Sequence, residues 1–235
     1  MQNMPRFNAP DVIEHPTASA QRARRPVLPT TSTAIHAKRS IIFDEGQSAE
    51  AIFQVVSGAV ILSRAVQGHP RRVLDVVGPG GMLGVVSGPR YNCRAETLTR
   101  SVIRRVSRSS VDGSEVLQRL VGRALTRNLE KLHDEATMRA RMSAKECVAA
   151  LILTLPPVVA QPAGRQKQGA DYRLALPLSD MASYLGLAIA TVCRAMKSLK
   201  HMGAIQASGR EWIAIIDEAA LLRLAAAGQV ANAAV

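Results

Sequence analysis

Cysteine is scarce in this 235-residue chain, and its spacing excludes two classes at once. Cys93, Cys147 and Cys193 lie far apart, which leaves no disulfide framework and no Cys-x-x-Cys zinc spacing. The compartment this implies is the reducing cytoplasm. Long apolar runs are missing as well: the greasiest stretch, 147–160, is interrupted by Pro156 and Pro157 and is too short to span a bilayer. No apolar signal-peptide core follows Met1, although residues 17–39 carry the Arg, Ser and Thr richness of a transit peptide. Aromatics make up only 3%, yet the hydrophobic fraction is 47%, which is ordinary for a globular protein and excludes wholesale disorder. Acid is short: 18 Asp and Glu face 30 Lys and Arg, a formal charge of +12. That surplus favours an anionic partner, with nucleic acid ahead of a membrane because no basic amphipathic anchor stands out.

What is present falls into four stretches. Residues 1–34 hold Pro5, Pro10, Pro16, Pro26 and Pro29 among polar residues and read as a flexible tail, since repeated prolines forbid a regular ladder. From 35 to 112 the texture is one of short β-prone bursts: 40–43, 51–56, 59–66, 71–77, 94–99 and 101–106. Glycine-bearing turns separate them. This predicts an antiparallel roll. Asp112 then reads as the N-cap of a long helix, 113–142, in which Leu117, Val121, Leu125, Leu129 and Leu132 recur every three or four positions. A helix of about 30 residues is roughly 45 Å long, more than a small domain needs to cover its own core. Those five residues therefore read as a seam against a second copy of the chain, the alternative being a helix that covers its own domain.

Residues 143–235 alternate again: a helix over 144–155, a strand over 172–176, a helix over 180–185 capped by Ser179, a break at Gly186 and a helix over 189–202. Two short strands, 204–207 and 211–216, flank a Ser208-Gly209-Arg210 turn, and a last helix covers 217–227. Helix, glycine turn, helix and hairpin is the order of a winged helix-turn-helix. Leu178, Met181, Ala182 and Leu185 fit the inward face of the first helix, and Val192, Met196 and Leu199 that of the second. Ala190, Thr191, Cys193, Arg194, Lys197 and Lys200 remain outward, small or basic as a major groove requires. Arg194 is suited to fork onto guanine; Lys197 and Lys200 suit phosphates. Ser179 and Thr191 sit at helix starts within reach of backbone oxygens, and Arg210 at the hairpin tip faces the neighbouring backbone.

The run from Leu176 to Leu187, followed by Thr191-Val192-Cys193-Arg194 and the Gly203-Ala204-Ile205 wing entry, resembles the DNA-binding signature of the cyclic-AMP receptor/FNR (CRP/FNR) superfamily, nearest its FNR and FixK branches. The order of parts over about 35–227 is similar too. The resemblance implies an α+β fold: a cyclic-nucleotide-binding-like β-roll, a long dimerisation helix and a C-terminal winged helix-turn-helix. It also implies a bacterial homodimeric regulator, typically an activator, that binds a two-fold-symmetric double-stranded DNA operator and contacts RNA polymerase.

The departures from that family are as informative. Where the FNR and FixK branches carry Glu-x-x-Ser-Arg on the recognition helix, this chain has Ala190-Thr191-Val192-Cys193-Arg194, so Arg194 is kept and the glutamate is lost. Val85 stands where the cyclic-nucleotide branch has the ribose-binding glutamate, and Cys93-Arg94-Ala95 where it has Arg-Ser-Ala. Cyclic AMP is therefore not expected. An iron–sulfur cluster needs four thiolates, and residues 1–34 hold none. Haem would rest on His36, His69 or His133 without a motif. No metal is expected either. Cys193, beside Arg194 and one turn before Lys197, is a candidate redox switch.

Two other classes compete. A β-roll enzyme using a metal would need a His-x-His or His/Glu cluster, and neither that nor a Ser/His/Asp motif or phosphate loop is present. A ligand-binding module acting on a partner protein would leave the basic helix and wing unexplained. Net charge decides little here, because 11 basic residues fall in 35–112 and only 5 in 171–216.

Overall fold

The computed structural model describes residues 32–66, 69–139, 142–157, 171–174, 176–208 and 212–230. Eight strands come first: β1 Ser32–His36, β2 Ile41–Phe43, β3 Ala51–Ser57, β4 Val60–Val66, β5 His69–Val77, β6 Met82–Leu83, β7 Arg94–Thr97 and β8 Ser101–Ser107. They form two four-stranded sheets, ordered β1-β8-β3-β6 and β2-β7-β4-β5, antiparallel throughout. Each sheet contributes buried side chains to one interior: Val55, Leu83 and Ile103 from the first, Phe43, Val60 and Ala95 from the second. Three of the few aromatics meet there. Phe43 stacks on Tyr91 with centroids 4.0 Å apart and on Phe53 at 5.6 Å. The buried Tyr91 hydroxyl donates to the Ala51 carbonyl at 2.8 Å, so the ring is enclosed without an orphaned polar atom. Gly58 turns the chain between β3 and β4 with φ +86°, where a Cβ would lie 2.2 Å from Ser101 Oγ; conformation and space both demand glycine.

The roll begins earlier than its sequence suggests. Ser32 and Thr33, which read as part of the tail, pair with Arg105 and Arg104 as the start of β1. The strand is held through its backbone and is mostly exposed, so no apolar alternation marks it. Residues 1–31 lie outside the described ones. The long helix also starts later. Ser107 caps a short helix α1, Arg108–Asp112, by accepting from the Ser110 amide at 3.1 Å, and Gly113 ends it. Helix α2, Glu115–Arg139, follows, 25 residues instead of thirty. Asp112 closes α1 and does not cap α2.

One side of α2 lies on the first sheet, where Leu117, Leu120, Val121 and Ala124 pack against Ile52, Met82, Val85 and Val106. This corrects two assignments: Leu117, 2% exposed, belongs to the chain's own core, and Val121 packs against that core. The period that suggested one seam is shared between two faces. Leu125, Leu129 and Leu132 point away from this core, 46%, 53% and 57% exposed.

The remaining elements are α3 Ala144–Thr154, β9 Asp171–Leu174, α4 Leu178–Leu185, α5 Ile189–His201, β10 Ile205–Ser208, β11 Trp212–Ile215 and α6 Glu218–Val230. A capping box starts α3: the Glu146 amide donates to Ser143 Oγ, and the Ser143 amide donates to Glu146 Oε2 at 2.7 Å. Asp217 Oδ1 accepts from the Ala220 amide at 2.8 Å and starts α6. The hairpin is wider than expected, since β9 pairs with β11 to make a sheet ordered β10-β11-β9. Val148, Ile152, Met181, Val192, Leu199, Ile213 and Leu221 are buried in one cluster that also includes Ala59, Ile61 and Val73 of the roll. The roll and the helical unit share a core.

Candidate nucleic-acid interface

Helix α4 opens directly after Pro177, whose ring fixes φ near −52° and whose carbonyl accepts from the Met181 amide at 3.0 Å. Ser179 therefore does not cap it. No side chain caps α4, and Ser179 stands exposed inside its first turn. Leu178, expected inward, is also exposed, and the buried position in this turn is taken by Asp180, which pairs with Arg71 of the roll at 3.2 Å. Gly186 ends α4 in the left-handed region, φ +69°, with its amide on the Ala182 carbonyl. The space around its missing Cβ is open, so conformation alone selects glycine here.

That turn sets α5 across α4. Val192, Ala195 and Leu199 are buried on the inner side, with Met196 partly so. Outward stand Ala190, Arg194, Lys197, Lys200 and His201, while Thr191, Cys193 and Ser198 are half-buried at the margin. The Arg194 guanidinium donates to Thr191 Oγ1 at 3.3 Å, one turn back on the same face. The helix carries no carboxylate of its own. The result is a positive ridge of Arg194, Lys197 and Lys200, with the small Ala190 beside them and Thr191 and Cys193 at its margin. Arg210 lies outside the described residues.

Three residues of the roll stand where the related cyclic-nucleotide branch differs from this chain: Val85, Cys93 and Arg94. Val85 packs into the α2 cluster, and Cys93 is buried, with burial pushing its thiol pKa up. Arg94 makes a two-pronged pair with the half-buried Asp44, Nε to Oδ1 at 2.8 Å and Nη2 to Oδ2 at 2.6 Å, and that hydrogen bond holds the Asp44 carboxyl below the usual carboxylate range. Among the described residues no group of His, Cys, Asp and Glu is placed to hold a metal, and no helix is long and apolar enough to cross a membrane. What the sequence concealed is the contact between Arg71, Ser183 and Asp180. Arg71 lies more than a hundred positions from the other two, with no pattern linking them.

Comparison with known proteins agrees with this arrangement. A profile of the cyclic nucleotide-binding domain matches residues 36–114, and one of the Crp-like helix-turn-helix domain matches residues 147–224, together about two thirds of the chain. The nitrogen fixation regulation protein FixK of Azorhizobium caulinodans is 29% identical over 215 residues, covering 88% of this chain and 85% of that protein. FixK of Rhizobium meliloti is 29% identical over 185 residues, covering 78% and 82%. The chain belongs to the CRP/FNR family of transcription regulators. In its solved structure, FixK2 of Bradyrhizobium japonicum superposes on 84% of this CRP/FNR chain and 98% of its own, with TM-score 0.69 and 26% identity. As a CRP/FNR member with a helix-turn-helix, the protein is a DNA-binding transcription regulator and not an enzyme.

Proposed function

We propose that the regulator works as a homodimer, pairing through Leu125, Leu129 and Leu132 of α2, and lays α5 of each subunit in the major groove of a two-fold-symmetric promoter site. The observation that carries this reading is the outward face of α5: Arg194, Lys197 and Lys200 exposed without an acidic neighbour on the helix. Arg194 reads a base edge, the two lysines and the Ser179 and Thr191 hydroxyls meet phosphates, and Ala190 offers a methyl where the related branches carry glutamate. RNA polymerase is its partner at the promoter, and the cytoplasm its compartment.

The sensor works without cyclic AMP, an iron–sulfur cluster or haem. Support comes from Val85 and Cys93 in apolar surroundings and from Arg94 already engaged by Asp44; Arg94 is still of a type that reaches a phosphate, but Val85 has no polar atom to take the ribose hydroxyls. Three cysteines fall one short of a four-thiolate cluster. Gel shifts against genomic fragments, with no nucleotide added, should give saturable complexes that resist competitor DNA and do not tighten with cyclic AMP. Binding that follows salt alone, with no preferred sequence, would overturn the reading.

Cys193 is proposed as a switch on the same face. Hydrogen peroxide oxidises its thiol to a sulfenic acid, one peroxide oxygen passing to the sulfur and the other leaving as water, and the added oxygen, or a glutathione whose thiol condenses with the sulfenic acid and releases water, crowds the groove beside Arg194. Peroxide should abolish operator binding by wild type and spare Cys193→Ser. Equal loss in both, or none in either, rejects the switch.

A further inference from the structure

β5 is an edge strand of the second sheet, and its outer edge is covered at Arg71 and Val73. Ser183 of α4 lies against it, its Oγ accepting from the Val73 amide at 2.8 Å and donating to the Arg71 carbonyl at 3.0 Å. One hydroxyl thus satisfies the two backbone groups that a further strand would take. The Arg71 side chain adds a second tie, with Nη1 on Glu96 of β7 at 3.0 Å and Nη2 on the buried Asp180 of α4 at 3.2 Å. From the other side Lys131 of α2 reaches Asp75 of β5 at 2.5 Å. A strand of the roll is therefore bonded to the long helix and to the first helix of the helix-turn-helix together.

We infer that β5 is the strut that sets where the recognition helix stands relative to the dimer helix, with Ser183 and Arg71 as positioning residues for DNA binding. The inference rests on the dimeric reading above. Helices α4 and α5 share one core across the Gly186 turn, so a shift of α4 on the roll carries α5 with it. In a dimer bound to two half-sites about one helical turn apart, the separation of the two α5 helices selects the half-site spacing. Ser183 and Arg71 face each other across the two units, away from the ridge of α5. Their removal should relax spacing while leaving the bases read within each half-site unchanged.

The probe is an operator selected by the wild-type protein from random-sequence duplex DNA, then remade with one base pair added or removed at its centre. Wild type should prefer the original spacing, and Ser183→Ala and Arg71→Gln should each lose about 2- to 30-fold of that preference while retaining dimer mass and half-site sequence preference. Hydrogen exchange at the Val73 amide, read without DNA, should accelerate about tenfold or more in Ser183→Ala, and Ser183→Thr, which restores a hydroxyl, should return both readouts toward wild type. A spacing-sensitive wild type with equally sensitive variants would overturn the positioning role alone. A wild type indifferent to spacing would overturn the dimeric reading and the role that rests on it.

Discussion

Leu129→Glu should leave the chain folded but monomeric, whereas Leu117→Glu, roughly three turns earlier on the same helix, should fail by unfolding. The difference lies in what each side chain touches. Leu129 is 53% exposed and rests on none of the chain's own clusters, so a carboxylate there is solvated in the monomer and costs little until two copies of α2 meet. Leu117 is 2% exposed among Ile52, Met82, Val106, Val111 and Ala124, all apolar. Burying an unpaired carboxylate costs at least several kcal/mol, a large part of a total stability of about 5–15 kcal/mol. Light scattering should report half the wild-type mass for Leu129→Glu, and its thermal transition should remain cooperative. Operator binding by the monomer should weaken by about 10²- to 10⁴-fold, because one molecule no longer engages two half-sites and the gain in effective concentration disappears. An unchanged dimer mass for Leu129→Glu would refute the outward seam. A folded Leu117→Glu would refute the inward one.

That contrast also marks where periodicity stops being readable. The spacing of Leu117, Val121, Leu125, Leu129 and Leu132 is legible as a helix, but a repeat of three and four does not say which neighbour each residue meets. Two faces of α2 therefore read as one seam. The helix-turn-helix is legible in detail because its signals are local: the αL glycine at 186, the buried spacing of Val192, Met196 and Leu199, and a basic remainder all fall within a few turns. Elements held by backbone pairing escape such reading. β1 is polar and exposed and β6 has two residues; β9 is legible as a strand, but its pairing with β11 in the wing is not. Capping is obscured where a proline competes: Ser179 has a capping side chain, but Pro177 starts α4 before it. The strut formed by Arg71, Ser183 and Asp180 is a matter of tertiary placement alone.

Arg194→Ala and Lys197→Ala remove one positive charge each from the same exposed face, and they should nevertheless weaken DNA binding in different ways. A guanidinium offers a planar fork of donors that matches the two acceptors of guanine, so its loss removes discrimination at one position per half-site. The expected penalty is about 1–3 kcal/mol per half-site on the preferred base, roughly 5- to 150-fold, with little change on sequences that already lack it. Thr191 strengthens the expectation, because its hydroxyl accepts from Arg194 at 3.3 Å and holds the side chain along the helix face before DNA arrives. Lys197 is a flexible point charge suited to a phosphate. Its truncation should lower affinity for all sequences by similar factors and reduce the slope of log K against log salt by about one for each phosphate no longer neutralised. Binding to a panel of single-base operator variants at several salt concentrations separates the two outcomes. If both variants lose affinity in parallel across the panel, Arg194 does not read a base. If instead Arg194→Ala flattens the preference at one symmetric pair of positions, those positions locate α5 in the groove and identify the base pairs that Ala190, one turn away on the same face, is placed to touch.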